Sequence, residues 1–84
     1  MALKTYYEYI HFSLVTPVGE KGRKTSVWDC QNNRTGSLLG CVIWEPGWRQ
    51  YIYEPYPDTI LSAGCLRDIV EFLTELRKSE QEAR

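Results

Sequence analysis

Several features that commonly announce a function are scarce or missing in this chain of 84 residues. No apolar run approaches the roughly 20 residues that a helix needs to cross a bilayer, so no transmembrane segment is expected. Positive charge is not in excess: ten Lys and Arg stand against eleven Asp and Glu, for a net charge of −1. That balance argues against a globally basic surface of the kind that phosphate contacts usually require. The cysteines (Cys30, Cys41 and Cys65) are odd in number and form no CxxC pair, and their spacing does not suit the paired-ligand loops of zinc sites. Free thiols in a reducing, cytoplasmic setting are expected, and a secretory leader is not. His11 is the only histidine, and neither a nucleophile elbow nor another matched catalytic motif accompanies it. Glu8, Asp29 and Glu54 are the carboxylates within conceivable reach of it. The glycines match neither nucleotide-binding fingerprint. Internal repeats and low-complexity stretches are also lacking. Catalysis therefore ranks last, and neither a cofactor nor a metal is expected.

The chain is instead rich in rings. Aromatics make up 13% of it, with six Tyr and three Trp, within an ordinary globular composition of 43% hydrophobic and 25% charged residues. The length allows one domain. A domain this small buries only about 60–65% of the surface that its unfolded chain exposes, so support from a second subunit is a natural expectation.

Thr5 to Val15 (TYYEYIHFSLV) reads as a long strand. Its more apolar face is Tyr6, Glu8, Ile10, Phe12 and Leu14. Tyr7, Tyr9, His11, Ser13 and Val15 point to the other side. Thr16 to Lys24 is a loop with Pro17, two Gly and a basic end at Lys21, Arg23 and Lys24. Thr25 to Cys30 and Leu38 to Glu45 form a hairpin across an Asn-rich turn, in which the sequon Asn33 to Thr35 is read as turn chemistry. Pro46-Gly47 suggests a type II turn, with the positive φ on Gly47, before a fourth strand over Arg49 to Glu54. In the tightest register Trp44 faces Arg49 and Val42 faces Tyr51. A wider corner would change that register. Thr59 to Ser62 is a candidate fifth strand. Leu66, Ile69, Val70, Leu73 and Leu76 then follow the spacing of one buried helical face, which predicts a helix from Ala63 to Ser79, with Ser62 as N-cap and a frayed tail over 80–84. The sequence predicts an α+β fold: an antiparallel meander of four to five strands followed by one C-terminal helix on one sheet face.

One helix covers one face. The rings are too many for one helix to cover, so an aromatic, helix-free sheet face is expected, with Tyr7, Tyr9, Trp44, Trp48, Arg49, Tyr51 and Tyr53 as candidate binding residues. The leading reading is a non-enzymatic module that self-associates, as a homodimer, or binds another protein. The alternative is a binder of single-stranded nucleic acid through Trp48, Arg49, Tyr51 and the basic loop, because aromatic and Arg side chains can stack on unpaired bases.

The segments VWDCQNN (Val27 to Asn33), IWEPGWRQY (Ile43 to Tyr51) and SAGCLRDI (Ser62 to Ile69) resemble a set of short, uncharacterised proteins of microbes and their phages. That resemblance covers most of the chain and implies no activity. The order of four antiparallel strands and a C-terminal helix is similar to the PC4-like single-stranded-DNA-binding coactivator fold. This second likeness implies a dimer that presents a curved sheet to unpaired strands. The basic content of that fold is missing here, and likeness of topology does not by itself license function.

Overall fold

A computed structural model describes residues 3–82. The strand-forming segments pair in chain order into one antiparallel sheet: β1 (Ile10–Thr16), β2 (Val27–Asn32), β3 (Leu38–Glu45) and β4 (Gln50–Pro55). A single 3-10 turn, Glu20–Gly22, interrupts the β1–β2 loop. The helix α1 (Ala63–Glu82) closes the chain and lies on one face of the sheet. Thr59 to Ser62 adds no fifth strand. It is a connection, with Ile60 projecting into solvent, and Ser62 ends it as the helix N-cap: its hydroxyl accepts the Cys65 N–H at 3.2 Å.

The first strand begins five residues later than its composition predicts. Tyr7 N–H donates to the Ile10 carbonyl and Phe12 N–H donates to Thr5, so residues 5–9 fold back beside β1. Asn33, from the β2–β3 loop, holds this turn. Its side-chain amide donates to the Tyr7 and Glu8 carbonyls at 2.7 and 3.2 Å, and its backbone N–H donates to Tyr9. The turn breaks the period of two. Tyr7 is therefore buried with Ile10 and Phe12, whereas Tyr6 and Leu14, expected inside, are exposed.

The β3–β4 corner spans Pro46 to Arg49. Trp48 and Arg49 N–H both donate to the Glu45 carbonyl, a Glu45 carboxylate oxygen accepts from Gly47 N–H, and the positive φ, 55°, falls on Arg49 rather than Gly47. Trp44 therefore faces Tyr51 and Val42 faces Tyr53. That is two residues from the tight register, and a shift of two leaves each side chain on its predicted face.

The helix buries Ile69, Phe72 and Leu76, with Cys65 and Leu73 partly covered. Leu66 and Val70, expected inside, are exposed; Phe72 takes the central position instead. Its ring stacks on Phe12 at 3.9 Å between centroids and meets the Trp28 edge at 5.2 Å. The helix also runs past Ser79 to Glu82 rather than fraying at 80, and only Ala83 and Arg84 of the expected tail lie outside the described residues. Its 20 residues span about 30 Å, long enough to reach rings at both ends of the strands.

Gly40 shows why β3 carries a glycine in its interior. A Cβ there would lie 2.5 Å from the Tyr53 hydroxyl oxygen and 2.6 Å from the Glu54 carbonyl oxygen, so the Tyr53 ring packs directly over bare backbone. Gly40→Ala should lower stability in urea denaturation by about 1–3 kcal/mol, the usual cost of overpacking a filled core.

Burial also sets a pH limit. Desolvation, reinforced by neighbouring carboxylates, raises the Tyr7 hydroxyl to about 12, and burial raises the Cys30 thiol to about 11 from an ordinary 9. Both groups ionise more readily in the unfolded chain, so the folded state loses relative stability as protons leave. Denaturation midpoints should be insensitive to these groups below pH 9, fall as pH rises from 9 to 11 through Cys30, and fall further from 10 to 12 through Tyr7. A midpoint that stays constant up to pH 12 would contradict this assignment.

Candidate interaction surfaces

The helix-free face does not carry the aromatic surplus. Register places His11, Ser13, Asp29, Gln31, Cys41, Ile43, Ile52 and Glu54 there. Tyr6 stacks on His11 at 4.9 Å, and the Tyr56 hydroxyl donates to Asp29 across 3.4 Å. His11 sits among amides. Asn33 uses its NH₂ on two carbonyls, so its Oδ1 accepts from His11 Nδ1 at 2.7 Å, while His11 Nε2 lies 3.1 Å from Gln31 Oε1. Gln31 Oε1 also accepts from Ser13 Oγ at 2.9 Å.

The seven candidate binding residues separate into two groups. Tyr7 and Tyr51 are buried, and Trp44 and Tyr53 pack against the core on the helix side. These four lie beneath the helix rather than on a bare face: the turn over residues 5–9 carries Tyr7 inward, and the β3–β4 register sets Trp44, Tyr51 and Tyr53 on the face of Val42, which the helix covers. Trp48, Arg49 and Tyr9 remain exposed, with Trp48 at 71%. The structure does not bring Tyr9 together with the other two. Tyr9 lies near Gly64 at the start of the helix, whereas Trp48 and Arg49 cap the opposite end of the sheet.

At that opposite end the last turns of α1 meet the starts of β2 and β4. Ser26 Oγ donates to one Glu80 carboxylate oxygen at 2.8 Å, and the Tyr51 hydroxyl donates to the other. Tyr51 also accepts the Ser26 N–H at 3.0 Å, and Trp28 Nε1 donates to Ser26 Oγ at 2.8 Å. Burial raises the Tyr51 pKa, and the hydrogen bond to Glu80 raises it further, so the hydroxyl keeps its proton as donor. Beside this network is a cleft of about 210 Å³ lined by Trp44, Arg49, Tyr51, Arg77, Glu80 and Gln81. The Arg77 guanidinium lies 6.0 Å from the centre of the Trp44 ring.

A second, wider groove of about 530 Å³ follows the outer edge of β4. It is walled by Gln50 and Tyr51 below and by Val70, Leu73, Thr74 and Arg77 above. Leu66 and Val70 expose 49% and 62% of their surface on this flank. Sequence reasoning missed this surface because it assigned both residues to the core. Their helical spacing fits either flank of a stripe this wide. No local signal in the sequence places Arg77 and Lys78 beside Arg49.

The three cysteines are free, with Cys30 buried and Cys41 and Cys65 partly covered. Among the described residues, no helix is long and apolar enough to cross a membrane, and no three His, Cys, Asp or Glu side chains converge as metal ligands. Comparison of the chain with protein-family models, curated proteins and solved structures finds no match.

Tyr51 and Tyr53 offer a contrast. The Tyr51 hydroxyl joins Ser26 to Glu80, whereas the Tyr53 hydroxyl is buried without a hydrogen bond, beside the Cys30 thiol. Tyr51→Phe should destabilise the protein by about 1–3 kcal/mol, because it leaves buried polar groups unpaired. Tyr53→Phe removes an unsatisfied group and should leave stability unchanged or higher. Equal losses in thermal or urea unfolding would refute this difference.

Proposed function

We propose that this protein is a non-enzymatic interaction module that self-associates, two copies joining along the β4 edge. The observation that carries this reading is the unpaired outer edge of β4 lying beside an exposed apolar flank of the helix.

An open strand edge offers a row of unpaired N–H and C=O groups, and proteins usually blunt such edges. The other edge of this sheet is blunted. Residues 5–9 fold against the first half of β1, and a bulge at Val15 disrupts the second half. The β4 edge is protected only by Pro55, at its end.

A second copy suits the β4 edge because the strand is self-complementary. Antiparallel pairing about a two-fold axis through Ile52 sets Ile52 against its mate, Gln50 opposite Glu54, and Tyr51 opposite Tyr53. Each pair lies on a common face, as antiparallel ladders require. The same axis brings the two Leu66–Val70 flanks together above the joined sheet. This arrangement would bury apolar surface that a monomer leaves in water. It replaces the helix-free face as the self-association surface, since that face is lined largely by polar groups.

Size-exclusion chromatography with light scattering should give a dimer mass for the intact chain. Val70→Lys, at an exposed position, should shift the mass to that of a monomer while leaving the circular dichroism spectrum unchanged. A monomeric wild-type protein at every concentration tested would overturn the proposal.

A further inference from the structure

We infer that the end of the molecule bearing the β3–β4 corner binds an unpaired nucleic-acid strand, with exposed cations on its phosphates and Trp48 against a base. The topology makes this surface. Thr16 pairs with Val27 and Glu45 with Gln50, so the β1–β2 loop and the β3–β4 corner leave the sheet at the same end. The Glu80 contacts with Ser26 and Tyr51 bring the last turns of α1 to that end as well. Lys21, Arg23 and Lys24 from the loop, Arg49 from the corner, and Arg77 and Lys78 from the helix therefore gather in one region, all exposed. A chain with net charge −1 thus concentrates most of its cations at one pole.

Four acids, Glu20, Glu45, Glu80 and Glu82, share this pole with the six cations, so the cations are in excess there. Glu20, Glu45 and Glu80 form no ion pair within 4.0 Å, the one such pair among the described residues being Lys4–Glu71, beside β1 and the middle of the helix. Glu80 accepts from Tyr51 and Ser26, and Glu45 accepts from the Gly47 N–H. The guanidinium groups of Arg49 and Arg77 border the same 210 Å³ cleft, which Glu80 also lines, and neither is held in an ion pair within 4.0 Å among the described residues.

Charge alone would suit any polyanion. The rings favour an unpaired strand. Trp48 is 71% exposed on the turn, next to Arg49, and Trp44 lines the cleft. Free bases present stacking faces beside their phosphates, whereas a duplex hides those faces and an acidic peptide or anionic lipid headgroup lacks them. The helix-free sheet face contributes little, because Asp29 and Glu54 lie on it.

The test is a titration of the full chain with oligothymidylate at low salt, read by tryptophan fluorescence and by anisotropy of a labelled strand. Quenching is expected. Affinity should fall with salt on a log–log slope between about −2 and −3.5, which corresponds to three to five phosphate contacts on a single strand. Trp48→Ala should weaken binding on the order of tenfold. Arg49→Glu combined with Arg77→Glu should abolish binding with an unchanged circular dichroism spectrum. The monomeric Val70→Lys variant should retain binding, which separates this inference from self-association. Absence of quenching at low salt would overturn it, as would equal affinity for duplex DNA or heparin, or binding only to anionic phosphatidylserine vesicles.

Discussion

The stack of Phe72 on Phe12 is the contact on which the rest of the architecture depends. With 3.9 Å between centroids and nearly parallel planes, it sets the helix directly against β1, and the Trp28 edge closes the other side of the Phe72 ring. One helix over four strands covers its sheet only if it inserts its largest side chain where the strands present theirs. Phe72 does this at the centre, Ile69 and Leu76 continue the contact on either side, and the hydrogen bonds of Glu80 with Ser26 and Tyr51 hold the helix over the far end of the strands. Rings that would otherwise face water are sheltered as a result.

The same placement creates the exposed surfaces. With Phe72 centred, Leu66 and Val70 rotate onto the β4 flank, where the strand edge is open. With Glu80 anchored, Arg77 and Lys78 are carried to the pole where Arg49 and the basic loop already lie. Interaction surface and core are therefore two consequences of one helix orientation. The helix-free face follows a different logic: the His11–Asn33 and Ser13–Gln31 hydrogen bonds and the Tyr6–His11 stack make it a polar layer.

Much of the fold is legible locally. Strand-forming runs, a loop at Pro17 and Gly19, an Asn-rich hairpin, and a helix opening at Ser62 are all written in short-range chemistry, and the structure contains each of them. The errors cluster where a distant residue intervenes. Tyr7 turns inward because Asn33, 26 positions away, satisfies the carbonyl of its turn. The helix persists to Glu82 because Ser26, 54 positions before Glu80, accepts no fraying there. Arg49 takes the positive φ because the Glu45 carbonyl and side chain organise the corner.

The sequence by itself determined the element order, the antiparallel meander, the N-cap and the amphipathic character of the helix, because periodicity, capping and turn preferences act over a few residues. Only the tertiary structure decided which rings are inside and which cations share a pole. A helix can rotate about its axis by the width of one side chain without changing its sequence pattern. Packing against Phe12 and hydrogen bonding at Glu80 select one rotation, and that selection exposes Val70 and Leu66 and leaves Trp48 and Arg49 open at the basic end.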